Sequence, residues 1–304
     1  MAGSTPVFAR PRTERSGSPH GARRVLGSPS GALGVVLLAV VTAAAFGASW
    51  VAPYDTSLQD LSATARPPSL TAVRGNVHLL GTDQLGRDIL SRLLVGLRIS
   101  LLVALMVVPV SLLLGLAAGM VTGYRGGWLD LALMRLVDAQ LAIPTLLLMI
   151  AVVAVLGSGL LQIVTVLVIA GWPTYARVMR AEVLALRDRD FVVAARAVGA
   201  SDARILGRHV FRNVLPTVLV LATLQLPVVI VLEAALSFLG LGIQPPTPSL
   251  GQMLGHSQDM VWRAWWMPTI PGVAITLLVL AFNLMGDRLR DVLDPRLRGL
   301  GQQI

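Results

Sequence analysis

The chain contains no cysteine and no lysine. The first absence excludes disulfides, thiolate metal sites and thiol catalysis. The second leaves all 25 basic residues as arginine, a bias that reflects genome composition more than mechanism. Charge is scarce: 13% of the 304 residues are charged, against 55% that are hydrophobic. The four histidines, His20, His78, His209 and His256, are too far apart in sequence to suggest a metal site. No HExxH and no Ser/His pair lies on the apolar segments, which argues against a membrane enzyme. No GxxxxGK[ST] is present, so the chain does not bind ATP through a P-loop of its own.

Long uncharged runs take the place of those missing groups. A soluble domain this apolar would aggregate, and an uncharged run of about 18 residues signals a membrane helix. The expected fold class is an all-α integral membrane protein with six transmembrane helices. The spans are expected at about 31–51, 99–123, 139–156, 160–176, 213–232 and 264–286. The uncharged stretch Ala139–Ala176 would extend about 57 Å as one helix, well beyond a ~30 Å hydrocarbon core. It is therefore read as a hairpin turning at Gly157-Ser158-Gly159. Residues 1–30 read as a disordered basic cytoplasmic tail. The first run is too long for a signal-peptide core and reads as a retained span. Residues 31–298 form the membrane domain, and 299–304 a short C-terminal tail. No soluble domain and no tandem repeat is apparent.

Arginine placement sets the orientation. With the N-terminus inside, the inner segments hold 19 arginines and the outer segments six. This is the positive-inside bias, and it explains the net charge of +9 better than nucleic-acid binding does. Both termini and the loop 177–212 are expected in the cytoplasm of a multi-pass cell-membrane protein.

Between the spans, the segment Gly81–Arg98 carries Leu85, Ile89, Leu93 and Leu94 at helical spacing. It is expected as an amphipathic helix on the membrane surface, with Thr82 or Asp83 as N-cap. Its charges Asp83, Arg87 and Asp88 either pair locally or hold an extracytoplasmic partner. Glu233 ends the fifth run. It either lines a path, pairs with an arginine, or sits structurally at the interface; the last is favoured. Gln225, Asn283 and Asp138 are polar beside apolar spans and suit interhelical hydrogen bonds. The Gly/Pro-rich stretch after Glu233 cannot be one helix, and is expected as a re-entrant or surface turn. Trp262, Trp265 and Trp266 suggest an outer aromatic belt, or an external loop anchored by tryptophans.

The inner loop carries the densest pattern. Ala194, Ala195, Ala197 and Ala200 are small residues that permit close approach. Gly199 permits a tight bend. Arg196, Arg204 and Arg208 can reach carboxylates. The alternative is a solvated loop whose arginines only fix topology. The blocks Gly81–Leu101, Asp190–Pro216, Glu233–Leu254 and Trp265–Leu297, with the spans between them, resemble the second permease subunit of the dipeptide, oligopeptide and nickel group of ABC importers. The resemblance covers about residues 30–298.

That resemblance implies a type I importer permease fold, with the stretch around Val193, Ala194, Ala195 and Gly199 as the coupling loop. Two positions depart from the family pattern: Val193 replaces a glutamate and Arg212 a proline. The resemblance further implies that the chain forms half of a translocation path for di- or oligopeptides. It would pair with a second permease subunit as a heterodimer and receive substrate from an extracytoplasmic binding protein. No cofactor is expected on this chain; ATP and Mg belong to two partner ATPase subunits. Nickel chelates, haem or another small solute are alternative cargoes. A stand-alone secondary transporter is the remaining alternative; it would need coupling carboxylates near the midplane, where only Glu233 is a candidate.

Overall fold

The computed structural model describes residues 29–71 and 76–293. Most of the expected N-terminal tail and all of the C-terminal tail lie outside them. Helix α1 (Pro29–Phe46) is apolar around its whole circumference. Leu33, Val36 and Val40 are exposed, while Val41 and Ala45 are buried against the rest of the bundle. A helix apolar all round suits a place between lipid and protein.

Helix α2 (Ile89–Arg125) is 37 residues long, about 55 Å at 1.5 Å per residue. It passes Pro109 without a break in the assigned helix, which a bundle interior tolerates. The expected surface helix over 81–98 is not formed. Gly81 and Gly86 adopt positive φ, and the Asp83 carboxylate accepts from the backbone N–H groups of Leu85 and Arg87. Those bonds compete with helix formation. The N-cap is Asp88, whose Oδ2 accepts from Ser91 N and Ser91 Oγ, both at 2.8 Å. Residues 89–98 are thus the first turns of α2 itself.

The third expected span is broken. Helix α3 (Gly127–Leu141) and helix α4 (Thr145–Leu156) meet at a 96° bend. Pro144 stands at the junction as the N-cap of α4, and a proline biases the residue before it away from the helical region. The 12 residues of α4 reach only about 18 Å, too short to span alone. The turn at Gly157-Ser158-Gly159 is where the glycines place it, and helix α5 (Leu160–Arg187) returns.

The α2–α5 contact is the most extensive in the molecule. Its basis is a Gly115-x3-Gly119-x3-Gly123 stripe. A Cβ on Gly115 would lie 2.4 Å from Tyr175 Cβ, and one on Gly119 2.6 Å from the Ala176 carbonyl. Only a residue without a side chain lets the two backbones approach this closely, as in small-xxx-small membrane packing.

A short helix α6 (Asp190–Ala197) follows, then a π-helical turn over Ile205–Val210 and helix α7 (Phe211–Phe238). Helix α8 (Leu250–Ser257) folds back on the end of α7. A Cβ on Gly251 would meet the Ala234 carbonyl at 2.1 Å, and one on Gly255 the Phe238 carbonyl at 2.5 Å. The Gly/Pro-rich segment therefore turns the chain back, and α8 is part of the packed body. Helix α9 (Trp266–Leu293) closes the bundle against α1, α7 and α8. Among the described residues, four helices are long and apolar enough to cross a membrane, five counting the bent pair as one span, against the six expected; α1 is a shorter apolar helix beside them.

Candidate functional site

The helices sort the polar segments to two ends. Gln84 Nε2 donates to the His256 carbonyl at 2.7 Å, so the segment before α2 and the end of α8 share one end. Tyr124, at the far end of α2, donates to Asp202 Oδ1 at 2.9 Å and accepts from Arg196 Nη2 at 3.2 Å. The arginine-rich loop therefore lies at the opposite end.

At that second end α6 packs by one face. Val192 and Ala195 are buried with Met179, Val183, Ile205 and Val210. The other face presents Val193, Ala194, Arg196 and Ala197 to the outside, and Val198 beyond the helix is 84% exposed. The chain then turns through Gly199 at φ +82°, where a side chain would be strained although nothing stands within 4 Å. Backbone bonds from Gly199 N to Arg196 O and from Ala200 N to Ala195 O close the helix, a glycine C-terminal cap. Of the expected small residues, Ala194 and Ala197 face outward. Ala195 is buried and Ala200 partly so. Arg204 and Arg208 are exposed. Arg196 instead sits over the Tyr124 ring, 5.6 Å from its centroid. It ties α6 to the end of α2, a role that sequence reading missed because Tyr124 is 72 positions away.

Glu233 is enclosed by protein on all sides. It is 0% exposed and accepts from Ser100 Oγ and Ser237 Oγ, each at 2.8 Å. It joins α7 to α2 inside the bundle. A buried carboxyl group needs such donors, and neither serine stands out in the sequence. Asp138 pairs with Arg177 across α3 and α5, beside the Asp130–Arg180 pair. Gln225 is half-buried and Asn283 exposed. Neither makes a side-chain hydrogen bond to another helix among the described residues.

The first end is densely tied. Asp88 Oδ1 lies 2.9 Å from His78 Nδ1, and His78 packs on Tyr54. Tyr54 N in turn donates to Ser91 Oγ. Asp83 Oδ2 accepts from Arg87 Nε at 2.7 Å. Asp83, Arg87 and Asp88 thus pair locally, which leaves a partner role to the surface they shape. A pocket of about 410 Å³ opens here between the start of α2, α8 and the first turn of α9. Trp262 and Trp265 are exposed as a belt requires, but Trp266 is buried against Ile89 and Met267.

Comparison with known proteins follows the same outline. The family described as the binding-protein-dependent transport system inner membrane component matches residues 114–299. The chain is 47% identical over 270 residues to a di/tripeptide transport system permease protein of Pseudomonas aeruginosa, covering 88% of this chain and 89% of that protein. It is 40% identical to a dipeptide transport system permease protein of Haemophilus influenzae, covering 88% and 90%. A glutathione transport system permease protein of Escherichia coli is 42% identical, covering 88% and 86%. Among solved structures, the methionine ABC transporter MetNI in inward-facing conformations superposes with a TM-score of 0.55 at 22% identity. That match covers 66% of this chain and 96% of the other, and it shows a shared fold.

Proposed function

We propose, from the chain's membership of the binding-protein-dependent transport system inner membrane component family, that it carries short peptides across the membrane as one half of a translocation path. The chain is a membrane-spanning transport permease subunit of an ABC importer. Di- and tripeptides are the proposed cargo. The observation behind this choice is 40–47% identity, over 88% of the chain, to permeases named for di/tripeptide, dipeptide and glutathione transport.

Helix α6 is the proposed coupling element. Val193, Ala194, Ala197 and Val198 offer an apolar, small-residue surface for a groove on an ATPase chain. Arg204 and Arg208 offer charge beside it. Val193, in place of the glutamate of the family pattern, makes that contact apolar rather than ionic. ATP and Mg act on two partner ATPase subunits. Their closure draws the coupling loops together and opens the path outward, and hydrolysis resets it inward. A second permease chain supplies the other half, and an extracytoplasmic binding protein delivers cargo at the end that holds Asp83, Arg87 and Asp88. The 19-to-6 arginine bias supports a cytoplasmic side for the termini and α6. The opposite positions of the Gln84–His256 and Tyr124–Arg196 contacts support this arrangement.

The test is reconstitution with the companion permease, ATPases and binding protein in proteoliposomes. Labelled di- and tripeptides should enter only with ATP. ATP turnover that answers to a nickel chelate or haem, and not to peptides, would overturn the cargo assignment.

A further inference from the structure

The pocket at the start of α2 has a property that the coupling reading does not use. Arg92 lines it, yet is 2% exposed. Its Nη1 donates to the Thr56 carbonyl at 3.1 Å. Its Nε has no hydrogen-bond partner among the described residues. It keeps a loose ion pair with Asp83 Oδ2 at 3.6 Å, beyond hydrogen-bond reach. Asp83 is already engaged: Oδ2 accepts from Arg87 Nε and Oδ1 from two backbone N–H groups. Asp88 is committed to His78 and Ser91. Two guanidinium groups therefore face one shared carboxylate, and a donor on the more buried guanidinium is unused. A buried cation with an unused donor is costly unless an acceptor reaches it.

We propose that this pocket binds the carboxylate of a small molecule, with Arg92 and Arg87 as its ligands. Of the charged residues that line the pocket, Arg87 and Arg92 outnumber Asp83 by one, which matches a monoanion. The planar guanidinium fork suits a carboxylate. The cavity, at about 410 Å³, lies within the range of small-molecule sites, roughly 300–1,000 Å³. Met253 and Met267 give an adaptable apolar wall for the remainder of the ligand. His256 lies on the lining as well, and burial followed by the cations of Arg87 and Arg92 holds its pKa below the usual histidine value. Resting on the peptide-transport reading, the assigned ligand is the C-terminal carboxylate of a short peptide.

The experiment uses the purified importer complex without binding protein or ATP. Labelled dialanine and its C-terminal amide serve as the probes. The free acid should bind and the amide should not. Arg87→Gln should weaken binding by about tenfold or more, the loss of one charge-assisted hydrogen bond. Arg92→Lys should weaken it too, and the melting temperature of each ligand-free variant is measured to show that its fold survives. Should Arg92→Lys fail to fold, Arg87→Gln alone decides. Equal binding of acid and amide, no binding of either, or undiminished binding in Arg87→Gln would overturn the site. A site filled only when binding protein is added would place the carboxylate on that protein, and would also overturn it. Dialanine uptake is measured in parallel. Uptake without binding refutes this site alone, whereas binding without uptake refutes the transport reading and leaves the site standing.

Discussion

The two aqueous ends of this molecule are built on opposite plans. At the end holding the start of α2, side chains tie the loops together: Asp88 to His78 and Ser91, Asp83 to Arg87, Tyr54 to Ser91, Gln84 to the α8 carbonyl. Glycines at 251 and 255 press α8 onto α7. At the end holding α6, one helix face is packed and the other is bare. Gly199 turns in open space, and Val198 projects outward. A tied end keeps its shape, whereas a bare apolar face on a short helix is suited to contact with another protein. The proposed roles follow this division: reception of cargo where the structure is rigid, coupling where a surface is left over.

What both ends depend on is the α2–α5 seam between them, and the largest expected effect is there. A Cβ at Gly119 would stand 2.6 Å from both the Ala176 carbonyl and Met179 Cβ. Gly119→Leu adds a full side chain where the backbones touch. Overpacking costs about 1–3 kcal/mol even where neighbours can shift, and here one neighbour is backbone. Gly119→Leu should therefore lose most of its folded yield in detergent, measured by monodisperse recovery and melting temperature. Wild-type recovery would mean that the seam can open, and that the two ends are not joined rigidly.

A smaller and more selective effect is expected at Gly199. Valine there must adopt positive φ, a local cost on the order of 1–2 kcal/mol, but it meets no neighbour within 4 Å. Gly199→Val should therefore insert and fold. It should weaken co-purification of the ATPase, or separate ATP hydrolysis from transport, by several-fold. Full coupling in this variant would reduce the bare end to a topology signal. Full recovery of coupling with Gly199→Asn, which tolerates this conformation, would confirm that the backbone turn is what matters.

How much of this was readable in the sequence depends on the range of the interaction. The long spans, the Gly157-Ser158-Gly159 turn and the bend at Gly199 are local, written in hydropathy and glycine. The break at Pro144 was hidden because both sides of it are apolar, so hydropathy ran on without a gap. The Gly115, Gly119 and Gly123 stripe is hidden within an apolar run, and nothing local marks its partner on α5. The engagement of Arg196 by Tyr124 and the burial of Arg92 and Glu233 depend on residues far away in the chain. Thr56 lies 36 positions from Arg92, and Ser100 lies 133 from Glu233. No local pattern marks such pairs.

The smallest effect tests whether the tied end carries the positive potential assigned to it. His256 faces Arg87, Arg92 and Asp83, with no other titratable group on α8. Burial comes first, and the two arginines next, in lowering its pKa; Asp83 opposes them. With the folded value below the unfolded one, near 6.5, the neutral ring is the form that fits the fold. Stability from this group is therefore present above about pH 6.5 and is lost as pH falls toward the folded value. Much of the ring is open to water, so screening keeps the effect small. Between pH 7.5 and 5.5 the wild-type complex should lose about 1–2 °C more in melting temperature than His256→Gln, with other acids titrating equally in both. Coincident curves would mean that neither burial nor the arginine field disfavours the protonated ring. A wild type that loses less than the variant would reverse the sign of the local potential, and with it the charge assigned to the pocket at the start of α2.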